Sequence, residues 1–390
     1  MSEKLVKQKI GKIFNQLADT LISGEYGQKP RVLVTAPGSE HGEEVYKAAL
    51  SAAKFNIEST VTGTKVYEGV NSELVDSEDS AHKKMEELLD LGKVDAAVTM
   101  HYPFPIGVST VGRIVTPGKG REMFIATTTG TSSTDKVEGM VKNAIYGIIT
   151  AKACGIKNPT VGILNIDGAR QTEIALNKLK NNGYEIQFAK SKRADGGAVM
   201  RGNDLLTGSC DVMVMDSLTG NLMIKIFSSY TTGGSYESLG YGYGPGIGEN
   251  FNKLILIILR ASGAPLIEGA IRYAADLIKG NCMQIIKEEF EKAKIAGLDS
   301  ILSEIKSSKK PQTEEIEVTA PAKEVVTSQI SGIEIMELED AVKVLLKKGV
   351  YAESGMGCTG PIILVSEAKT NVALKILTEN NYIAKEEIYC

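Results

Sequence analysis

Near the C-terminus one cysteine stands among three glycines, in Glu353-Ser354-Gly355-Met356-Gly357-Cys358-Thr359-Gly360-Pro361. The thiolate is the reactive form of cysteine, and it is favoured where a helix N-terminus presents unpaired N–H groups. Pro361 suits the first position of a helix, and the pattern over 362–379 can be helical throughout. Cys358 is therefore the candidate nucleophile, with Thr359 and Gly360 as support for its thiolate or for an oxyanion. The flanking glycines leave the sulfur unshielded and admit an acyl group or a second backbone. The competing reading is a small buried residue in a glycine turn, since free cysteine is among the most buried residue types.

A second chemical stretch is Thr127-Thr128-Thr129-Gly130-Thr131-Ser132-Ser133-Thr134-Asp135, read as a loop between a strand over 123–126 and a helix over 135–153. Its hydroxyls, and the N–H groups of a helix start capped by Ser133 or Thr134, fit a phosphate-sized anion. The candidate ligands are Thr129, Gly130, Thr131 and Ser132, joined by Asn221. A well-capped helix start explains the same residues equally well. His101, ending a strand over 96–100, fits a general base or a phosphate donor, although such histidines are more often structural. Asp216, ahead of Ser217-Leu218-Thr219-Gly220-Asn221, fits the orientation of a polar substrate, and turn formation accounts for it as well. The glycine-rich segment 233–250 reads as irregular, either a lid or a plain surface loop.

Several chemistries are excluded. The Gly-x-x-x-x-Gly-Lys-[Ser/Thr] pattern is absent from the threonine loop, and the spaced glycines at 242–248 follow no apolar strand, so neither nucleotide fingerprint is present. Cys154, Cys210, Cys282, Cys358 and Cys390 are scattered, and only His41, His82 and His101 accompany them. That describes neither a disulfide framework nor a metal site, and no metal is expected. A net charge of −4 gives no reason to expect nucleic acid. The longest apolar run is far too short to span a bilayer and the N-terminus lacks the apolar core of a signal peptide, so a cytoplasmic protein is expected.

These residues need a frame to hold them. After an amphipathic helix over 3–23, strands at 31–35, 96–100, 123–126, 160–165 and 211–215 alternate with helices at 43–54, 79–91, 135–153 and 170–181. Further helices are expected at 267–279 and 282–306. The alternation predicts an α/β fold of three layers, αβα, with a mostly parallel sheet and ligands beyond the strands' carboxyl ends. Residues 1–306 would form this main domain and 307–329, polar and with Pro311 and Pro321, an extended linker. Residues 330–390 would form a small helical module, with an amphipathic helix over 337–348, carrying Cys358 on a tether. Such a module is marginal alone and should dock on the main domain or a partner.

Four stretches resemble a known family: Val161-Gly162-Ile163-Leu164-Asn165-Ile166; Met200-Arg201-Gly202-Asn203-Asp204 and on to Asp216; Leu218-Thr219-Gly220-Asn221-Leu222-Met223-Ile224-Lys225; and Gly263-Ala264-Pro265-Leu266-Ile267-Glu268-Gly269. They are similar to the phosphate acyltransferases of phospholipid synthesis, the PlsX family, over roughly the first three hundred residues. The resemblance implies the fold shared by PlsX, phosphotransacetylase and the isocitrate and isopropylmalate dehydrogenases. That family lacks the appended module and differs in the 127–133 loop. The whole chain more closely resembles the alpha subunits of component C of the glycine, sarcosine and betaine reductase complexes of amino-acid-fermenting anaerobes.

This second resemblance implies that Cys358 holds an acetyl group derived from a carboxymethyl selenoether on selenoprotein A, and that inorganic phosphate releases it as acetyl phosphate. It implies the component C beta subunit and selenoprotein A as partners, an oligomeric assembly, and no cofactor beyond phosphate as substrate. Two rivals stay open: acyl transfer from acyl carrier protein or coenzyme A to phosphate, with Cys358 incidental, and a non-catalytic assembly subunit. A dehydrogenase is disfavoured by the lack of an acidic trio and of a cofactor fingerprint.

Overall fold

The computed structural model describes residues 29–192, 196–308, 321–333, 337–357, 360–380 and 382–383, with residues 7, 10, 11, 14, 15, 17, 18 and 21 of an N-terminal helix. Twelve strands form the main sheet. In chain order these and the helices between them are β1 (Arg31–Thr35), α1 (Gly42–Ala52), β2 (Glu58–Gly63), β3 (Asn71–Leu74), α2 (Glu78–Asp90), β4 (Ala96–Thr99), β5 (Val108–Val115), β6 (Glu122–Thr131), α3 (Lys136–Ala153), β7 (Thr160–Leu164), α4 (Ala169–Asn181), β8 (Gln187–Phe188) and β9 (Val199–Met200). There follow α5 (Gly202–Thr207), β10 (Val212–Val214), α6 (Ser217–Ser229), β11 (Gly244–Ile247), β12 (Ile255–Ile257), α7 (Ala264–Lys279), α8 (Cys282–Ile295) and α9 (Leu298–Ser308).

The spatial order is β3-β2-β1-β4-β12-β11-β5-β6-β10-β7-β8, with β9 also on β7. Strands β3, β2, β1, β4 and β12 are mutually parallel, as are β6, β10, β7, β8 and β9. Between the blocks, β11 is antiparallel to both β12 and β5, and β5 is antiparallel to β6. Three reversals leave the two blocks running in opposite senses. Their carboxyl ends therefore lie at opposite edges of the sheet, which divides the loops that the sequence grouped together.

Period-two alternation explains the three layers. Val32 and Val34 join the large core under α1, α3, α4, α7, α8 and α9, whereas Leu33 between them joins Met85 and Leu88 of α2 on the other face. Likewise Phe124 and Ala126 face α3, while Ile125 and Met213 meet Ile224 and Phe227 of α6. The expected αβα sheet is present.

Several boundaries differ from expectation. Strand β6 runs to Thr131, so the threonine stretch is largely strand. Its β-branched residues suit the extended hairpin with β5, a strand that the sequence pattern did not signal. The glycine-rich segment is not wholly irregular, because β11 within it is buried. A Cβ at Gly244 (φ 86°) would overlap the Val111 carbonyl oxygen, so glycine there permits close approach of two backbones. The helix expected over 282–306 breaks at Gly297 (φ 85°).

The C-terminal region has its own core, in which Ile330, Val342, Leu345, Ile363, Val365 and Leu377 pack together. Its elements are β13 (Ser328–Ser331), α10 (Leu338–Lys347), β14 (Ala352–Gly357), β15 (Gly360–Val365) and α11 (Thr370–Glu379). Helices are present as expected, but a three-stranded antiparallel sheet, β13-β15-β14, completes the module. It takes residues 361–365 from the expected helix, consistent with the β-branched Ile362, Ile363 and Val365.

Candidate functional site

Cys358 and Thr359 lie outside the described residues; the strands on either side are described. Strands β14 and β15 pair antiparallel, with Met356 opposite Pro361 and Gly357 opposite Gly360. Pro361 belongs to a strand, and the next α-helix begins only at Thr370. The activation expected from a helix start behind Pro361 is thus withdrawn. The two glycines remain, as the final pair of a hairpin ladder. Below them the hairpin is anchored by Ile363 and Val365 in the module core, and Ser354 Oγ donates to Glu339 Oε1 of α10 at 2.7 Å.

The threonine stretch sits where β6 meets β5, β10 and α6. Inside the sheet its polar atoms are paired: Thr128 Oγ1 donates to the Tyr243 carbonyl at 2.8 Å and lies 2.7 Å from Thr110 Oγ1, while Thr127 Oγ1 donates to the Thr110 carbonyl. Ser132 is buried, and its Oγ contacts Asn143 Oδ1 at 2.8 Å and the Gly139 carbonyl at 3.1 Å. Asn221 Nδ2 donates to the Thr128 carbonyl at 3.1 Å. Of the expected phosphate ligands, Ser132 and Asn221 are thus engaged in holding the strand. Thr129 is half-buried, Thr131 exposed, and their hydroxyls make no hydrogen bond among the described residues. Gly130 (φ 83°) lies between them, against Val108.

The helix starts nearby are capped from within. Asp135, rather than Ser133 or Thr134, caps α3 by accepting from the Glu138 amide at 2.9 Å. Asp216 caps α6, accepting from the Thr219 amide at 2.8 Å and from Thr219 Oγ1 at 3.0 Å. Lys136 Nζ stands 3.1 Å from Asp167 and 4.0 Å from Asp216. An anion at either helix start would face these carboxylates. The Asp216 carboxylate is committed to its cap, a role that its place ahead of Ser-Leu-Thr made readable. His101 is exposed and follows β4, in the block whose carboxyl ends face the opposite edge from β6 and β10. The sheet brings Thr129 to Ser132, Asp216 and Asn221 together and leaves His101 apart.

Asn143 was not singled out in the sequence, yet it organises this region. It is 2% exposed, accepts from Ser132 and from Ser109 Oγ at 3.2 Å, and donates through Nδ2 to the Met215 carbonyl at 3.0 Å. One carboxamide therefore ties α3, β5, the end of β6 and the end of β10. The signal was an Asn inside the helical run Val141-Lys142-Asn143-Ala144-Ile145, at a position facing the sheet. Glu237 was missed as well. It is buried, Tyr243 OH donates to it at 3.2 Å and Ser262 Oγ at 3.1 Å; burial raises its carboxyl pKa against the opposing pull of these hydroxyls.

The described cysteines are poor nucleophiles. Burial pushes the Cys210 and Cys282 thiols up to about 12 and raises Cys154 as well, so thiolate is scarce at neutral pH. Among the described residues no group of three or more His, Cys, Asp or Glu could hold a metal ion. No helix among them is long and apolar enough to cross a membrane.

Comparison with known proteins gives this geometry a context. The profile of the fatty acid synthesis protein family matches residues 31–364, past Cys358 and well beyond the roughly three hundred residues read from the sequence. The glycine/sarcosine/betaine reductase complex component C subunit alpha of Peptoclostridium acidaminophilum is 60% identical over 383 residues, covering 97% of this chain and 99% of its own. A phosphate acyltransferase of Staphylococcus epidermidis is 32% identical over 165 residues, 38% of this chain and 48% of its own length. The crystal structure of a branched-chain phosphotransacylase from Enterococcus faecalis is 15% identical, covering 63% of this chain and 98% of that one, with a TM-score of 0.46. The chain belongs to the fatty acid synthesis protein family, together with the component C alpha subunit it matches from end to end and, more distantly, the phosphate acyltransferases.

Proposed function

We propose that this chain is the acetyl-transferring subunit of a glycine reductase-type complex. The observation that carries the reading is end-to-end similarity, 60% over 97% of the chain, to a component C alpha subunit. In this reading the Cys358 thiolate holds an acetyl group as a thioester, the acetyl being derived from the carboxymethyl selenoether of selenoprotein A. A phosphate oxygen then attacks the thioester carbonyl, the C–S bond breaks, acetyl phosphate leaves and the thiolate is restored. Covalent catalysis of this kind divides one hard step into two easier ones. The component C beta subunit and selenoprotein A are its partners.

Two features support the assignment. Cys358 falls in the sequence between Gly357 and Gly360, the closing pair of a ladder, neither of which carries a side chain. The half-buried thiol of Cys154 and the buried thiols of Cys210 and Cys282, all raised by desolvation, offer no rival nucleophile. Phosphate is assigned to the hydroxyls of Thr129 and Thr131 beside Gly130, with Ser132 and Asn221 fixing the strand that presents them. Thr359 and Gly360 are assigned to the oxyanion through their backbone N–H groups, an interaction worth about 3 kcal/mol per donor in other enzymes.

Phosphate acyltransferase relatives support a second reading, in which a carrier thioester is the acyl donor and Cys358 is incidental. Cys358→Ala separates the two. With the fold retained by circular dichroism, acetyl phosphate formation by the reconstituted complex should be abolished; near-normal formation would reject the thioester and favour the second reading.

A further inference from the structure

The carboxyl ends of β6, β10 and β7 lie side by side, because the three strands are parallel neighbours. Three helices begin there, and their starts differ. Asp135 caps α3 and Asp216 caps α6, whereas α4 begins behind Gly168 (φ 89°) with no side-chain cap and no acidic residue in its first turn. A helix start favours a nearby carboxylate. One reaches it from outside the main sheet: Gln171 Nε2, in the first turn of α4, donates to Glu337 Oε2. Glu337 immediately precedes α10 of the C-terminal module.

This contact joins two parts that the acyl chemistry needs together. On one side, α4 starts next to the strand ends to which phosphate is assigned. Lys136 Nζ of α3 reaches both Asp167, in the loop before α4, and Asp216, the cap of α6, and a Cβ at Gly168 would stand 3.3 Å from Val137 of α3. On the other side, α10 holds the strand that leads toward Cys358, through the bond of 2.7 Å from Ser354 Oγ to Glu339 Oε1. Gly357 is three residues further on, about 10 Å along β14. The contact is also built to open. Gln171 Oε1 is buried with no partner among the described residues. A covered acceptor without a donor disfavours the closed arrangement, and separation of the module returns it to water.

We propose that Gln171 is a positioning residue, and that its contact with Glu337 is the seat at which the module docks to discharge acetyl to phosphate. The inference rests on the thioester reading. At the seat a phosphate oxygen adds to the thioester carbonyl, the C–S bond breaks, and the thiolate stays on the module while acetyl phosphate leaves. Away from the seat the module is loaded by its partner. A seat that leaves one acceptor unpaired suits a contact made and broken in each turnover.

Two measurements test it. Gln171→Cys/Glu337→Cys in a Cys358→Ser chain, treated with a short bismaleimide, should become bridged between the two positions within one chain, as read by peptide mass spectrometry. No bridge, or a bridge between chains, would overturn the seat. In chains that keep Cys358, Gln171→Glu sets a second carboxylate against Glu337. Loaded by the full reductase complex with phosphate withheld and then given phosphate, this variant should discharge its acetyl adduct about tenfold slower, with loading retained and the half-saturating phosphate concentration unchanged. Adding Glu337→Gln should restore discharge, since amide and carboxylate have only changed places. Discharge of Gln171→Glu at the unaltered rate, or no recovery in the double variant, would overturn the proposal. Failure of the thioester reading looks different: no adduct forms on Cys358 even in the unaltered chain, and the proposal falls with it.

Discussion

Gly357 and Gly360 face each other as the last cross-strand pair of an antiparallel ladder that begins at Ala352 and Val365. Below that pair the two strands are held by a small sheet and two helices with their own core. Pro361, expected to start a helix behind Cys358, is strand, so no helix dipole is supplied from that position.

The account requires the other thiols to be inert. Cys210 and Cys282, pushed to about 12 by burial, should carry thiolate at about one part in ten thousand at pH 8. Brief alkylation of the native protein should leave Cys154, Cys210 and Cys282 unmodified and label Cys358, as read by peptide mass spectrometry. Labelling of a buried thiol at a rate similar to Cys358 would remove the selectivity on which the mechanism depends.

Asn143 should be the most sensitive polar residue near the candidate phosphate position. Asn143→Ala leaves Ser109 Oγ without its partner and removes the tie to the Met215 carbonyl, at a cost of roughly 2 to 4 kcal/mol. Ser132→Ala should cost about 1 kcal/mol, because Asn143 Oδ1 keeps its bond from Ser109. In denaturant unfolding the double variant should lose less than the sum of the two single losses, as expected for residues in one network. Strict additivity would mean that the network does not act as a unit.

Glu237 carries a pH signature. Its folded-state pKa lies above the ordinary value of 4.5 because burial disfavours the charged form, so the folded state binds this proton more tightly than the unfolded chain. The stability it contributes is complete below about 4.5 and is lost as pH rises through the folded value. Glu237→Gln should therefore be about as stable as the unaltered protein at low pH and relatively more stable at neutral pH. A constant difference between the two across that range would contradict the assignment.

Much of the frame was legible because long apolar runs declare themselves. Strands β1, β4, β7 and β10 and helix α10 follow from Val-Leu-Val, Ala-Ala-Val, Val-Gly-Ile-Leu, Val-Met-Val and the spacing of Leu338, Val342 and Leu345. The central hairpin was not. Strand β6 ends in Thr-Thr-Thr-Gly-Thr and β11 reads Gly-Pro-Gly-Ile, residues that local pattern assigns to loops and that only the neighbouring strands turn into sheet. Pro361 misled for a similar reason. Its fixed φ suits a helix start, but the Ile-Ile-Leu-Val that follows pairs with β14. Asp216 and Asn221, named for ending a strand, lie beside the threonine stretch as a helix cap and a strand tie, whereas the reversal between strand blocks that separates His101 from them had no local sign.

The most direct test of the central claim is peptide mass spectrometry of the protein quenched during turnover, with the full reductase complex and phosphate withheld. The account predicts a single acetyl adduct on Cys358 that disappears, with release of acetyl phosphate, when phosphate is added. An adduct on another cysteine, or acetyl phosphate formed with no adduct on Cys358 at any time, would contradict it.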